Sequence, residues 1–215
     1  MIQKAITRAR LAGGDEVIVV DGGSDDDTVK IAESCGAFVY HDVSGRGNQL
    51  NRGAEKASGD LLLFLHADNW LGESVCGQLR TCPHATNEIW GCFRQKIGDQ
   101  RALYRWLAKG NEWRVRWQGL VYGDQAMFVN RYLFHSIGGF PNQPLMEDFE
   151  ISRRLYRKSR PILLDGPTYV SDRRWQRRGV IRQTLTNWSL ATRYRMGESP
   201  ANLANRYRRH DQAED

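Results

Sequence analysis

The sequence predicts an α/β fold: a mostly parallel sheet flanked by helices, followed by a basic helical extension at the C-terminus. Three observations predict it. Short apolar runs alternate with helical patterns through the first half; these runs end in polar clusters; and the arginines gather near the end of the chain. Strands alternating with helices of this length form βαβ units, whose connection requires parallel pairing.

Taken in order, Met1 to Leu11 mixes basic and apolar residues and lacks the continuous apolar core of a signal peptide. Glu16 to Val20 (EVIVV), Ala37 to His41 (AFVYH) and Asp60 to His66 (DLLLFLH) are rich in β-branched, aromatic and leucine residues and read as strands. Between them, Asp27 to Cys35 and Gly47 to Ala57 read as helices. Asp25, Asp26 and Asp27 stand where carboxylates cap the first of these. Gln100 to Trp117 carries Leu103, Trp106, Leu107 and Trp113 at roughly helical spacing. Asp124 to Val129 reads as a further strand and Glu147 to Lys158 as a helix. Gly179 to Arg209 reads as helical with a break near Ser199-Pro200. The expected organisation is one α/β domain over residues 1–175 and a helical extension over 176–215.

Composition narrows the function. Of the 215 residues, 40% are hydrophobic and 26% charged, as in an ordinary globular domain. No apolar run approaches the roughly 18 residues needed to span a bilayer, so the expected location is cytoplasmic. The four cysteines have neither metal-ligand spacing nor the density of a disulfide scaffold, and are expected to be reduced. The net charge of +6 is uneven. Residues 1–150 hold 16 Lys/Arg against 19 Asp/Glu, while residues 151–210 hold 15 against 3. Such an end suits an anionic partner: a nucleotide diphosphate, nucleic acid or a membrane surface.

In open parallel sheets, ligands bind beyond the carboxyl ends of the strands. Three polar clusters stand at or beyond element ends. In Asp21-Gly22-Gly23-Ser24-Asp25 the glycines let backbone approach a ligand, and Asp21 can accept hydrogen bonds from a base or ribose. His66-Ala67-Asp68 ends the most apolar strand. Residues 66 and 68 face the same way along an extended chain, so the pair can hold Mg²⁺ or Mn²⁺ against a diphosphate. Met146-Glu147-Asp148 opens a helix after the Gly138-Gly139-Phe140-Pro141 turn, with Gly123-Asp124-Gln125 upstream. Each cluster also has a purely structural reading, as a turn, a buried histidine or a helix cap.

Taken together, VIVVDGGSDDDT (17–28), GRGNQLNRGAEKASGDLLLFLHAD (45–68), YGDQAMFV (122–129) and IGGFPNQPLMEDFEISRRL (137–155) resemble glycosyltransferase family 2, with its Rossmann-like GT-A fold. Within it the chain is most similar to the radical-SAM/selenodomain-associated, arsenosugar-biosynthesis-type subgroup. The resemblance implies a metal-dependent inverting transfer of one sugar from a nucleotide-diphosphate sugar to an acceptor hydroxyl. It implies Asp148 as general base supported by Glu147, and Asp68 at the metal with His66 beside it. His66 stands where the family motif often has its first Asp. Asp21, with Gly23 and Ser24, would meet the nucleoside, and Arg46 the base or a phosphate. Asp124 and Gln125 would line the donor or acceptor pocket. Arg174 and Trp175 resemble the Arg-Trp end of a motif in processive synthases of the family and would meet the diphosphate and a sugar.

The family also implies a first strand ahead of Glu16, between the strands ending at Asp21 and Asp68. The sequence has no such run, so a slot in the sheet and an incomplete chain are expected. The acceptor is unidentified. No nucleic-acid motif is present, so nucleic acid is not expected as a partner, whereas the basic C-terminal helices are candidates for peripheral membrane contact. The alternatives are a non-catalytic relic of the family and a basic module binding nucleic acid or lipid.

Overall fold

A computed structural model describes residues 1–42, 45–82, 88–98, 102–172, 175–176 and 179–212, with the backbone alone over 208–212. The first half alternates as expected: α1 (Ile2–Leu11), β1 (Ile18–Asp21), α2 (Thr28–Ser34), β2 (Phe38–His41), α3 (Arg46–Lys56) and β3 (Leu61–Leu63). There follow β4 (Asn69–Leu71), α4 (Val75–Thr81), β5 (Trp90–Ile97) and α5 (Ala102–Gln118). A 3₁₀ turn (Gly123–Gln125) leads to β6 (Phe128–Asn130), α6 (Arg131–Ser136), α7 (Glu147–Tyr156) and β7 (Ile162–Val170). Two helices, α8 (Val180–Arg195) and α9 (Pro200–Gln212), end the described chain. Among the described residues no helix is long and apolar enough to cross a membrane.

The strands form two sheets. β1 and β2 pair in parallel, and five strands pair in the order β3-β6-β5-β7-β4. The α/β architecture with flanking helices is as expected, and its strand pairing is mixed rather than mostly parallel. Only β1–β2 and β5–β7 run parallel, whereas β3–β6, β5–β6 and β4–β7 run antiparallel. The expected strand from Asp124 is also shortened. Ala126 adopts a left-handed conformation (φ 50°), which closes the 3₁₀ turn and delays the strand to Phe128.

β1 and β3 are edge strands of their separate sheets. Between them lies the broad end of a cavity of about 1230 Å³, walled there by Ala5 and Ala9 of α1, Val19 of β1, Gly53 of α3 and Leu61 and Leu63 of β3. The main core lies beyond, where Trp90, Met127, Val129, Phe134, Ile151 and Leu155 pack between the five-stranded sheet and α3, α6 and α7. Trp90, Ile151 and Leu155 are fully buried, and burial of each such side chain contributes about 1.5–3 kcal/mol. The C-terminal helices pack on this body: Leu190 and Ala191 of α8 and Leu203 of α9 are buried.

Candidate active site

Register brings the chemistry together. Leu63 of β3 opposes Phe128 of β6, and the Phe64 amide donates to the Met127 carbonyl. Because the two strands are antiparallel, the chain leaving β3 (His66 to Asp68) meets the chain entering β6 (Gly123 to Met127). Gly123 permits the approach, since a Cβ there would stand 2.4 Å from His66 Nε2. The Gly123 amide donates to Asp148 Oδ2 at 3.0 Å, which adds the start of α7. Arg46, the first residue of α3, donates to Glu147 Oε1 at 2.9 Å. Four separate elements thus converge at the narrow polar end of the cavity, where Arg46, His66, Asp68, Tyr122, Asp124 and Asp148 line the wall.

Each group has a distinct environment. Glu147 is buried and tied to the half-exposed Arg46. Burial, and then repulsion from Asp148, push its carboxyl above the ordinary glutamate range against the pull of Arg46. Burial works against the charge of Arg46, but Glu147 and then Asp148 outweigh it and hold the guanidinium charged. Asp148 is half-buried. It accepts from the Gly123 amide and, at 2.7 Å, from the Phe149 amide, so its position is fixed while it still faces the cavity. The residue before this acid pair, Met146, has φ 67°, uncommon for a side chain of its size.

Asp124 is fixed through its carbonyl, which accepts from Asn69 Nδ2 at 3.3 Å and Gln95 Nε2 at 3.2 Å. Its Oδ1 is buried without a hydrogen-bond partner, and so is His66 Nε2. Burial pushes the Asp124 carboxyl up, against Arg114 and His66, and burial and then Arg46 push the His66 imidazole down. Two unsatisfied buried atoms at one place are unusual and mark the spot where an added group would be bound. Asp68 is exposed on the turn after His66. Among the described residues no three His, Cys, Asp or Glu side chains form a metal cage. The donor set of an imidazole nitrogen and carboxylate oxygens fits a divalent cation whose shell is completed by phosphate oxygens and water.

Other residues singled out in the sequence stand differently. Asp21 is buried, and its carboxylate is occupied by its own turn: it accepts from Gly23 N at 2.9 Å, Ser24 N at 3.0 Å and Ser24 Oγ at 2.5 Å. The Ser24 hydroxyl, acting against desolvation, holds its pKa down. Asp21, Gly23 and Ser24 therefore shape the loop after β1 and do not line the cavity. Gln125, expected to line the pocket, is turned into the protein. Its Oε1 accepts from Arg114 at 2.6 Å and from the Tyr122 amide at 3.1 Å. Trp175 reaches the cavity edge and packs on Tyr104 beside Ile97 and Val170. Arg174 lies outside the described residues.

Sequence reasoning missed Gln183 and Asn187 of α8 and Tyr207 of α9, which line the same polar end. Gln183 is buried and donates to Asn187 at 2.8 Å. A glutamine and an asparagine one turn apart are ordinary in an exposed helix, so only their burial distinguishes them.

Comparisons with known proteins bear on the family and the fold. The family model described as Glycosyl transferase family 2 matches residues 1–159. An uncharacterized glycosyltransferase of Mycobacterium tuberculosis is 38% identical over 153 residues, covering 64% of this chain and 55% of that protein. The chain thus spans about half the length of that curated relative. A PGL/p-HBAD biosynthesis glycosyltransferase of Mycobacterium bovis is 27% identical over 230 residues, covering 84% of this chain and 88% of its own. Among solved structures, S. aureus TarS 1-349 in complex with UDP superposes with a TM-score of 0.61 at 18% identity, over 79% of this chain and 56% of that one. GalNAc-T7 with UDP, GalNAc and Mn²⁺ gives 0.59 at 14%, over 78% and 40%. These likenesses show the GT-A type of α/β fold.

Proposed function

The chain belongs to glycosyl transferase family 2, and from that premise we propose that it moves one sugar from a nucleotide-diphosphate sugar to an acceptor hydroxyl with inversion at the anomeric carbon. The observation that carries this reading is the convergence of Arg46, His66, Asp68, Asp124 and Asp148 on one end of a single cavity. An acceptor hydroxyl is too weakly acidic to attack unaided. Asp148, facing the cavity and held by two backbone amides, takes its proton as the new bond forms. Such base catalysis is typically worth about 10²–10⁴-fold in rate. Glu147 is bound to Arg46 and borders a small adjoining void, shared with His66 and Asp148, rather than the main cavity, so its part is to set the position of Arg46, whose charge faces the departing diphosphate. Asp68 and His66 would hold Mg²⁺ or Mn²⁺. The cation, when bound, neutralises charge building on the leaving diphosphate.

The resemblance to the radical-SAM/selenodomain-associated subgroup belongs to this reading. A cytoplasmic location and peripheral contact of the basic C-terminal helices with a membrane surface belong to the same reading. The test is a thermal-shift titration with UDP and GDP, each with and without Mn²⁺, on wild type and Asp68→Ala. A metal-dependent rise in melting temperature that Asp68→Ala abolishes is expected. A cooperative melt that no nucleotide shifts would overturn the reading in favour of a non-catalytic relic.

A further inference from the structure

Tryptophan is usually well buried, yet four of the chain's seven are exposed on two helices: Trp106 (75%), Trp113 (63%) and Trp117 (68%) on α5, and Trp188 (67%) on α8. Their spacing makes stripes. Trp113 and Trp117 lie seven and eleven residues after Trp106, close to two and three helical turns, directly opposite the buried Tyr104 and Val115. On α8, Ile181, Leu185 and Trp188 form a second exposed stripe opposite the buried Gln183 and Leu190. The helices are linked near both ends. Leu107 and Val180 join one apolar cluster near their N-terminal ends, and Arg195 donates to Gln118 Oε1 at 2.5 Å near their C-terminal ends.

The charges around these stripes have one sign. α5 carries Arg105, Lys109, Arg114 and Arg116 against the single acid Glu112, which is turned inward onto Arg94. α8 carries Arg182, Arg193 and Arg195 and no Asp or Glu. Arg105, Lys109 and Arg116 are exposed beside the tryptophans. Indole rings that seek the boundary between water and hydrocarbon, flanked by cations, match the headgroup layer of an anionic bilayer.

We propose that the exposed faces of α5 and α8 dock on an anionic phospholipid surface. The inner face of α8 carries Gln183 and Asn187 on the cavity wall, so docking sets the polar end of the cavity about one helix diameter from the headgroups. Docking does not depend on the chemistry proposed for the cavity and is read without turnover.

The experiment is co-sedimentation of the full chain with phosphatidylcholine vesicles, with and without phosphatidylglycerol, alongside tryptophan emission. Binding to the anionic vesicles with a blue-shifted emission is expected. Trp106→Ser/Trp113→Ser/Trp117→Ser and Arg105→Glu/Lys109→Glu/Arg116→Glu should each weaken it by at least about tenfold. All six side chains point outward, so melting temperatures should stay near wild type; the charge-reversal set keeps the tryptophans and serves as the second arm. Absence of vesicle binding would overturn the proposal. So would binding that neither variant weakens, or self-association in solution that the tryptophan variant abolishes.

Discussion

At the scale of single residues, the site is a set of carboxylates that differ in what surrounds them. Glu147 and Asp148 are neighbours in sequence, yet one is buried against a guanidinium and the other faces the cavity. Their adjacency at a helix start was legible in the sequence, and the resemblance assigned them different parts; the contact that separates them was not legible, because Arg46 arrives from 101 residues away. Glu147 also gives a signed pH dependence. Its folded-state pKa is raised, so the folded protein holds a proton that the unfolded chain releases first. Stability should therefore fall as pH rises through and beyond the ordinary glutamate range. Glu147→Gln, which does not titrate, should flatten that slope in urea melts taken at several pH values. A slope unchanged in the variant would mean another group carries it.

At the scale of elements, α3 holds the acid-bearing segment in place. Asn51 donates from Nδ2 to the Phe140 carbonyl and accepts on Oδ1 from the Phe140 amide, both at 2.9 Å. Gly47 lies so close that a Cβ there would stand 2.6 Å from the Pro141 carbonyl oxygen. Asn51→Ala would leave both backbone groups of the buried Phe140 unpaired. A loss of about 2–3 kcal/mol in urea unfolding is expected, because each unsatisfied buried group costs about 1–3 kcal/mol. A loss under about 0.5 kcal/mol would show that this latch is not needed. Elements of this kind were partly legible. β1, β2 and β3 announce themselves by short apolar runs ended by glycine or acid, and α3, α5 and α7 by helical spacing. β5 and β7 did not. Trp90–Ile97 is buried on both faces while carrying Arg94, Gln95 and Lys96, so it lacks the alternation of a half-buried strand. β7 contains Gly166-Pro167, which argue against a strand, yet they fall where the pairing with β5 shifts register, and a bulge accepts them.

At the scale of the whole molecule, one cavity serves two environments. Its polar end holds the candidate chemistry, and its broad end is an apolar gap between two sheet edges, β1 and β3. At about 1230 Å³ it exceeds the roughly 300–1,000 Å³ of usual ligand sites. The motifs implied the polar end, but the merging of gap and site into one space depends on how α1, α3 and β3 pack. Apolar walls open to water stabilise less than closed ones. Ala9 on α1 lines the broad end and is only half-buried. Leucine has nearly the helix propensity of alanine, so Ala9→Leu should add contacts in the gap without disturbing α1. A gain of about 1 kcal/mol is expected, or about 2–4 °C in melting temperature for a chain of this length. Binding of an apolar dye such as anilinonaphthalene sulfonate should fall in the same variant, and its response to nucleotide and Mn²⁺ should match wild type. A lower melting temperature with unchanged dye binding would place Ala9 against packed protein. A changed nucleotide response would show that the two ends of the cavity are energetically coupled.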